Sequence, residues 1–324
     1  MSKSYKEVFK NPALKRYFRD NKTFYDITDS SAGIATNRLV EISSNKAAIG
    51  TEASTTIVGM TRNAVTASDG DVEVEWGAVP CYLASPVAKM DNIAPRALGT
   101  VAKSLPSQVT MMTTKTGGDF GNQPAGDTVE VLSSDAADTT QTVTIYGTIT
   151  GTTISVTTEV LSLSGTDVVA STQAAWVNIL GVELSASCAG TITIQEGSAD
   201  ADITTITTGK LSAGVETITT TNAYGLIPRH DASTTTSAPI ALIGTGIDGG
   251  ALSVVDALNN ATEEDHATTA YATITKVLIG AVASPITVTV LTNETADTTN
   301  VGVAIEASTV SGVLSDCYVK PYFF

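Results

Sequence analysis

The stretch DGDVEVEW, Asp69–Trp76, alternates acidic with apolar residues, and this alternation decides the fold class. At the two-residue period of a β-strand, one face carries the acidic residues Asp71, Glu73 and Glu75. The opposite face, which we predict to enter a core, carries Val72, Val74 and Trp76. Same-face side chains are about 7 Å apart along a strand, so one strand cannot bring three carboxylates to one ion. The acidic row is therefore predicted to face solvent or a neighbouring subunit.

The composition extends this interpretation to the whole chain of 324 residues. Hydrophobic residues make up 42%, enough for sizeable cores, whereas aromatic residues make up 5% and charged residues 16%. That balance argues against a coiled coil and against a disordered chain. The sequence is rich in Thr, Val and Ile, whose branched β-carbons favour pleated sheets. The prediction is an all-β chain of two or three domains.

Charge is unevenly distributed along the chain. The formal net charge is −15, yet residues 1–22 hold seven basic and two acidic residues, a balance of +5. The acidic remainder repels nucleic acid, which proteins bind largely through cationic contacts with phosphate. The basic segment suits an acidic partner, and the alternative is a solvated arm that happens to be basic.

The cysteines and the first residues bear on the cellular compartment. Cys81, Cys188 and Cys317 are far apart and show no zinc-binding spacing, so no disulfide framework is indicated. The opening sequence MSKSYKEVFKN has no apolar signal core, and the chain has no run of about 18 apolar residues. We expect a protein that is made and folded in a reducing cytoplasm and has no membrane anchor.

Both ends of the chain combine aromatic with basic residues. Asn11-Pro12 is typical of a helix start, and ALKRYFRD (13–20) predicts a short basic helix with its apolar residues on one face. The other end reads CYVKPYFF (317–324). Because aromatic and Arg side chains anchor protein interfaces, both ends are predicted to contact a partner, with folding back onto the body as the alternative. The predicted contact residues are Lys10, Lys15, Arg16, Tyr17, Phe18, Arg19, Tyr322, Phe323 and Phe324.

The pattern of strands and turns predicts four parts. A basic arm with the short helix (1–24) precedes a small β-barrel or sandwich (25–133), and two tandem β-sandwich modules follow (134–220 and 221–324). The frame GDVEVE (70–75) recurs as GDTVEV (126–131), which predicts a recurring strand of the barrel.

A longer repeat supports the tandem modules. Residues 142–194 match residues 239–290 with a period of about 95 residues. In this match Trp176 lies opposite Tyr271 and Ile179 opposite Ile274. Each module is therefore predicted to have an aromatic residue of a central strand as its core anchor.

Residues 30–133 resemble the small β-barrel of the head decoration, or cement, proteins of tailed phages. The pieces that match follow the strand-and-turn order of that family: Arg38-Leu39-Val40, Ile57-Val58-Gly59, Gly70-Asp71-Val72, Gly77 and Leu98-Gly99-Thr100-Val101. The Thr-rich modules that follow are similar in style to the immunoglobulin-like domains appended to phage structural proteins.

The resemblance implies a structural virion protein on the outer surface of a capsid, assembled in the host cytoplasm. Members of this family bind the major capsid protein and staple neighbouring capsomers, often as trimers, so a homotrimer is the expected oligomer. The alternative is another virion part, such as a head fibre, a tail protein or a receptor-binding protein, whose modules bind glycans of the host surface. Neither function calls for catalysis, a cofactor, nucleic acid or a membrane.

Three features bear on chemistry, and each has a simpler structural explanation. GTGIDGG (244–250) has the dinucleotide-binding spacing G-x-G-x-x-G, and a helix after it is conceivable, but the repeat favours a glycine-rich hairpin. His230 and His266 lie in polar stretches, are predicted as surface loop residues, and have no G-x-S-x-G motif to complete a triad. TEEDH (262–266) offers oxygen ligands to Ca²⁺, yet such dense loop acids usually stay solvated. We predict no catalytic residue, no metal site and no cofactor.

Overall fold

The fold is seen in a computed structural model of the chain. The residues that it describes are 22–26, 38–43, 46–49, 57–61, 64, 71–88, 90–96, 100–103, 105, 108–116, 119–233, 238–258, 264–282, 286–292 and 302–319. These residues form strands, turns and bends and contain no helix, which confirms the predicted all-β class. Accordingly, no helix in this part is long and apolar enough to cross a membrane. The helix predicted within residues 11–20 lies outside the described residues.

The described residues contain 27 strands. The first nine are β1 (Lys22–Asp26), β2 (Leu39–Ser43), β3 (Lys46–Ile49), β4 (Ile57–Thr61), β5 (Asp71–Glu75), β6 (Gly77–Tyr82), β7 (Asn92–Pro95), β8 (Val101–Lys103) and β9 (Thr110–Thr116). The next eight are β10 (Val129–Ser133), β11 (Thr142–Ile149), β12 (Thr152–Ser162), β13 (Val169–Ala170), β14 (Trp176–Leu184), β15 (Ile192–Glu196), β16 (Asp202–Ile206) and β17 (Ser212–Ala213). The last ten are β18 (Val215–Thr217), β19 (Asn222–Leu226), β20 (Arg229–Ala232), β21 (Pro239–Gly246), β22 (Ala251–Ala257), β23 (Glu264–Asp265), β24 (Tyr271–Ile279), β25 (Ile286–Leu291), β26 (Gly302–Ala304) and β27 (Leu314–Val319).

Strands from both ends of the described chain build one unit, which we call the terminal module. Its two sheets have the orders β1-β5-β4-β2-β3 and β6-β27-β26-β7-β8. β27 pairs with β6 along its whole length, from Leu314 opposite Tyr82 to Val319 opposite Gly77. The core combines Leu39 and Met60 of the first sheet with residues of the second, such as Cys317. The last described strand is therefore an integral part of the module that opens the chain.

Two further units, the inner module (β10 to β17) and the middle module (β9 and β18 to β25), each consist of two sheets. The inner sheets run β12-β11-β14-β17 and β13-β10-β15-β16, and the middle sheets run β22-β21-β24-β18 and β23-β20-β25-β9, with β19 also paired to β24. In β10 (VEVLS) buried and half-buried residues alternate, so one face of the strand enters the core. Trp176 is fully buried in the inner core and Tyr271 in the middle core.

The two modules share a sheet order but differ in chain order. In the middle module β9 is the edge strand beside β25, and in the inner module β16 is the edge strand beside β15. In the other sheets, β18 lies beside β24 in the middle module, and β17 lies beside β14 in the inner module. In the inner module β16 leads to β17 through residues 207–211, whereas between β9 and β18 the chain builds the entire inner module. The inner module is therefore inserted into the middle module, and the middle module into the terminal module.

Strand register confirms the predicted long repeat. In the inner module Gly147 pairs with Ile179 and Ile149 with Trp176. At the matching positions of the middle module, Gly244 pairs with Ile274 and Gly246 with Tyr271. Both strand pairs also carry a register shift just before the first of these glycines. The predicted correspondences of Trp176 with Tyr271 and of Ile179 with Ile274 hold residue by residue.

Strand pairing crosses the predicted domain boundaries. β9 and β10 fall within the predicted barrel (25–133) but pair with β25 of the middle module and β15 of the inner module. β26 and β27 fall within the predicted module 221–324 but pair with β7 and β6 of the terminal module. The prediction that GDTVEV (126–131) is a barrel strand like GDVEVE is therefore wrong. Boundaries drawn from local patterns assume that sequence neighbours share a sheet, and these strands pair with distant segments instead.

Candidate functional site

The predicted partner-contact residues lie outside the described part of the chain: Lys10, Lys15, Arg16, Tyr17, Phe18, Arg19, Tyr322, Phe323 and Phe324. The structure does describe the strands to which these two segments are attached. β1 begins at Lys22 and β27 ends at Val319, and both strands belong to the terminal module. Both predicted contact segments are thus covalently joined to the same module.

The strand predicted from DGDVEVEW is confirmed as β5 (Asp71–Glu75). It lies inside its sheet, paired with β4 on one side and with β1 on the other. Because β1 is formed by Lys22–Asp26, the last residues of the predicted basic arm (1–24) are part of this sheet, and Lys22 lies opposite Glu75 in register. One of the two strand neighbours of the acidic strand is therefore a segment of the same chain that begins with the last basic residue of the arm, Lys22.

The glycine-rich stretch 244–250 forms the predicted hairpin. β21 ends at Gly246 and β22 begins at Ala251, so the helix that a dinucleotide site needs is absent and a strand takes its place. The turn is closed by the amide N–H of Gly246, which donates to the Gly250 carbonyl at 2.9 Å. At its tip, the Ser311 hydroxyl of the terminal module donates to the Gly246 carbonyl at 3.3 Å. The hairpin is thus a contact between modules.

The two histidines of the chain meet in the middle module although they are distant in sequence. His230 lies in β20, His266 directly follows β23, and the centroids of their rings are 5.3 Å apart. Their exposed fractions are 2% and 0%, so the prediction that both are surface loop residues is wrong. The reason is local: β20 alternates half-buried with buried residues, and His230 occupies a buried position.

Asp256 of β22 completes a cluster with the two imidazoles. Its Oδ2 lies 3.9 Å from His230 Nε2, and one nitrogen of each ring and one carboxylate oxygen all lie within 4.8 Å of one another. The carboxylate is oriented by the backbone, since Ala257 N–H donates to Oδ1 at 2.8 Å and Ala267 N–H donates to Oδ2 at 2.7 Å. Two imidazoles and a carboxylate are ligand types that bind divalent transition metals.

His266 is held in one orientation and one protonation state. Its Nε2 lies 3.1 Å from the Val254 carbonyl oxygen. Because a carbonyl oxygen only accepts, Nε2 carries the proton and Nδ1 carries the lone pair. Nδ1 is buried without a hydrogen-bond partner. Burial, and to a lesser degree the nearby His230, lowers the pKa of His266 to about 4, so the ring is neutral at neutral pH.

Sequence analysis missed this cluster for a topological reason. His230 and His266 come from one sheet of the middle module, and Asp256 comes from the other. The sequence places Asp231 and Asp265 next to the histidines, whereas the carboxylate that reaches them belongs to a strand across the core. The only usable signal was that both histidines of the chain fall within one predicted module, residues 221–324.

Two buried cysteines have unreactive thiols. A hydrogen bond with Cys317, together with burial, raises the pKa of the Cys81 thiol well above its usual value in the terminal core. Burial likewise raises the pKa of Cys188 in the inner module. Protonated thiols are poor nucleophiles, so neither side chain supplies a reactive thiolate at neutral pH.

The inner and middle modules share an apolar and polar contact between their facing sheets. Tyr146 and Leu180 of the inner module pack with Ala241 and Leu278 of the middle module. Beside them, Lys276 Nζ pairs with the Glu183 carboxylate and donates to the Tyr146 hydroxyl at 2.8 Å, and that hydroxyl donates to Glu183 at 2.6 Å. Burial lowers the pKa of Lys276, but its bonds to Glu183 and Tyr146 outweigh burial and raise it. The lysine therefore stays charged at the contact.

Replacing Lys276 by methionine is expected to lower the free energy of unfolding by about 1 kcal/mol, because the half-buried carboxylate of Glu183 loses its cation. Urea denaturation measures the change. In a double-mutant cycle with Glu183→Gln, the coupling should be about 0.5–1.5 kcal/mol. Additive effects of the two substitutions would show that this ion pair contributes nothing to the contact.

A buried arginine marks the contact between the terminal and middle modules. Arg96 has an exposed fraction of 0%, and its Nε donates to the Tyr224 carbonyl of β19 at 2.7 Å. Its Nη1 donates to the Pro95 carbonyl at 2.8 Å. Nearby, Asn222 Nδ2 donates to the Pro86 carbonyl at 3.3 Å. The three modules are thus joined in series by specific contacts, from terminal to middle to inner.

No protein-family model matches this chain, and no curated protein matches it. Function is therefore inferred from the residues and from their geometry.

Proposed function

We propose that this chain is a structural protein of a tailed phage, a decoration or cement protein that binds the outer surface of the capsid and staples neighbouring capsomers. Its partner is the major capsid protein, its working form is a homotrimer, and it acts without catalysis or a cofactor. It is assembled onto the virion in the host cytoplasm. The middle and inner modules play the part of the immunoglobulin-like domains that such proteins carry.

One observation carries this proposal: both predicted contact segments are attached to the terminal module, while the other two modules are inserted within it. A chain of this kind has a base that holds both ends and a projection made of the remaining modules. Binding through two segments of one base, repeated by the symmetry of an oligomer, gives multivalent attachment. Because such a protein binds the assembled shell and not free subunits, it stabilises the shell by mass action.

The chemistry of the contact segments is consistent with this role. Residues 1–22 carry the balance of +5 on a chain whose net charge is −15. A basic segment beside an acidic body can reach an acidic shell surface while the body is kept in solution by its own charge.

The test is to mix the purified protein with bare, matured capsids and to image them. The expected result is regular density at capsomer junctions. Reversing the charges of Lys15, Arg16 and Arg19 to glutamate should weaken capsid binding at least about tenfold, since each reversal turns an attractive contact into a repulsive one. Lys210→Glu is the matched control, because Lys210 is an exposed lysine of the inner module, and it should bind as the native protein does. Binding to tails or host cells without binding to capsids would replace the proposal with the head-fibre, tail or receptor-binding alternative.

A further inference from the structure

The His230–Asp256–His266 cluster lies where the two sheets of the middle module face each other. His230 of β20 and His266, directly after β23, come from one sheet, and Asp256 of β22 comes from the other. The three side chains therefore converge on one point from both layers of the module. A single ion bound at this point would connect the layers, as a disulfide does in other sandwiches.

We propose that this cluster is a binding site for a divalent transition-metal ion, with Zn²⁺ the best fit, that ties the two sheets of the middle module together. Zn²⁺ takes imidazole nitrogen and carboxylate oxygen at about 2.0–2.2 Å in tetrahedral sites, which places neighbouring ligand atoms about 3.4 Å apart. Here His230 Nε2 and Asp256 Oδ2 are 3.9 Å apart, and all three ligand atoms lie within 4.8 Å of one another. Binding an ion at tetrahedral spacing requires side-chain rotations that shorten these distances.

The surroundings of the cluster orient the ligands for a metal. A metal-binding histidine usually donates its second ring N–H to a carbonyl or carboxylate. His266 does so through Nε2 and the Val254 carbonyl, which leaves the buried Nδ1 lone pair for the ion. Two backbone amides fix the Asp256 carboxylate, and each of its oxygens keeps a further lone pair.

Access and charge also suit the site. The side chain of Asp256 is 30% exposed, so an ion can enter past it and a water molecule can fill the fourth position. Arg229, next to His230 in sequence, is paired with Asp265 at 2.9 Å, so its charge is balanced by a carboxylate. Nitrogen ligands favour Zn²⁺ over Ca²⁺ and Mg²⁺, which prefer oxygen ligands throughout.

The experiment uses the full-length protein, stripped of metal with a chelator, dialysed and titrated with ZnCl₂ by calorimetry. The expected result is one Zn²⁺ per chain, with a rise in melting temperature of at least about 2 °C at saturation. Cobalt substitution gives a readout that needs no variant, because Co²⁺ held by two imidazoles and a carboxylate absorbs visible light strongly when its geometry is tetrahedral. Neither measurement involves a capsid, so failure here and failure of capsid binding are independent.

Variants locate the site. His266→Gln and Asp256→Asn keep side-chain size and polarity, and each should weaken Zn²⁺ binding at least about 100-fold and abolish the thermal shift. Asp231→Asn is the matched control, since this acid adjoins His230 on the opposite face of β20 yet is not a ligand, and it should bind normally. Circular dichroism checks that each variant is folded. Less than one-fifth of an equivalent of Zn²⁺ on the native protein overturns the proposal, and so does equal affinity in folded His266→Gln and native chains.

Discussion

Replacing Gly214 by alanine is expected to lower the free energy of unfolding by about 3–5 kcal/mol. Gly214 lies between β17 and β18, where the chain passes from the inner to the middle module. Its φ of +65° lies in the left-handed region, which costs a residue with a β-carbon about 1–2 kcal/mol. A β-carbon there would lie 2.7 Å from the Leu180 carbonyl oxygen and 2.5 Å from Cζ of Phe120. Both contacts are shorter than van der Waals separation, so the backbone or the Phe120 ring must move.

The position of Gly214 makes this cost unavoidable. Its carbonyl accepts a hydrogen bond from Ile279 N–H of β24 at 3.0 Å, and its Cα faces Leu180 of β14. A backbone shift that moved the new β-carbon away from Leu180 of the inner module would lengthen the hydrogen bond between Gly214 and Ile279 of the middle module. The variant should therefore unfold at a lower urea concentration and should also loosen the contact between the two modules, which hydrogen exchange at Ile279 would report.

Gly209→Ala is the matched control for this prediction. Gly209 also has a left-handed backbone, with φ +87°, but nothing lies within 4 Å of the place its β-carbon would occupy. Gly209→Ala should therefore lower the free energy of unfolding by about 1–2 kcal/mol, which is the cost of the left-handed backbone alone. If both substitutions proved equally mild, close packing at Gly214 would not be what restrains the module junction.

What the sequence could predict is the part of the fold that depends on neighbouring residues. The alternation in Asp71–Glu75 produces β5, and the glycines of 244–250 produce a hairpin, because both are decided by the intrinsic preferences of a few consecutive residues. The long repeat was also visible, since two copies of one module need the same pattern of buried residues. Trp176 and Tyr271 accordingly hold matching register positions.

What the sequence could not predict is which distant strands share a sheet. The sequences of β9 and β27 resemble those of strands in the modules nearest to them in sequence. Nothing in the sequences of their partners β25 and β6 indicates these distant pairings. The inserted order of the modules follows from those pairings alone. The same limit hid the histidine cluster, since His230, Asp256 and His266 come together only when two sheets pack face to face.

Replacing Arg96 by alanine is expected to destabilise the protein by about 3–5 kcal/mol, which would place it with Gly214→Ala among the most damaging single changes. The side chain is fully buried, so its removal leaves a cavity. The Tyr224 carbonyl also loses the guanidinium donor that lies 2.7 Å away. A half-buried carbonyl that loses its donor costs about 1 kcal/mol, and the cavity supplies the rest of the loss.

Removal of the Arg96 side chain should also weaken the contact between the terminal and middle modules. Tyr224 has a φ of +58°, an uncommon conformation for a residue with a side chain. It is held there by Asn222 Oδ1, which accepts from Tyr224 N–H at 2.9 Å, and by Arg96 at its carbonyl. Without the arginine, the amides of Asn222–Leu226 should exchange with deuterium faster than in the native protein. Arg96→Lys should recover little, because an ammonium group lacks the planar fork that reaches both the Tyr224 and Pro95 carbonyls.

Arg38→Ala is the control for Arg96→Ala. It removes an arginine of the same module that is only half-buried. Arg38 is half-buried and lies over the Tyr82 ring at 4.3 Å from its centroid, a contact worth about 1 kcal/mol. Urea denaturation of both variants should therefore show a difference of at least about 2 kcal/mol. Equal stabilities would mean that the Tyr224 carbonyl finds another donor when Arg96 is absent, and that the terminal and middle modules are joined mainly by the hairpin contact at Gly246 and Ser311. A large difference, with faster exchange confined to Asn222–Leu226, would show that the buried guanidinium of Arg96 is a main contact between the terminal and middle modules.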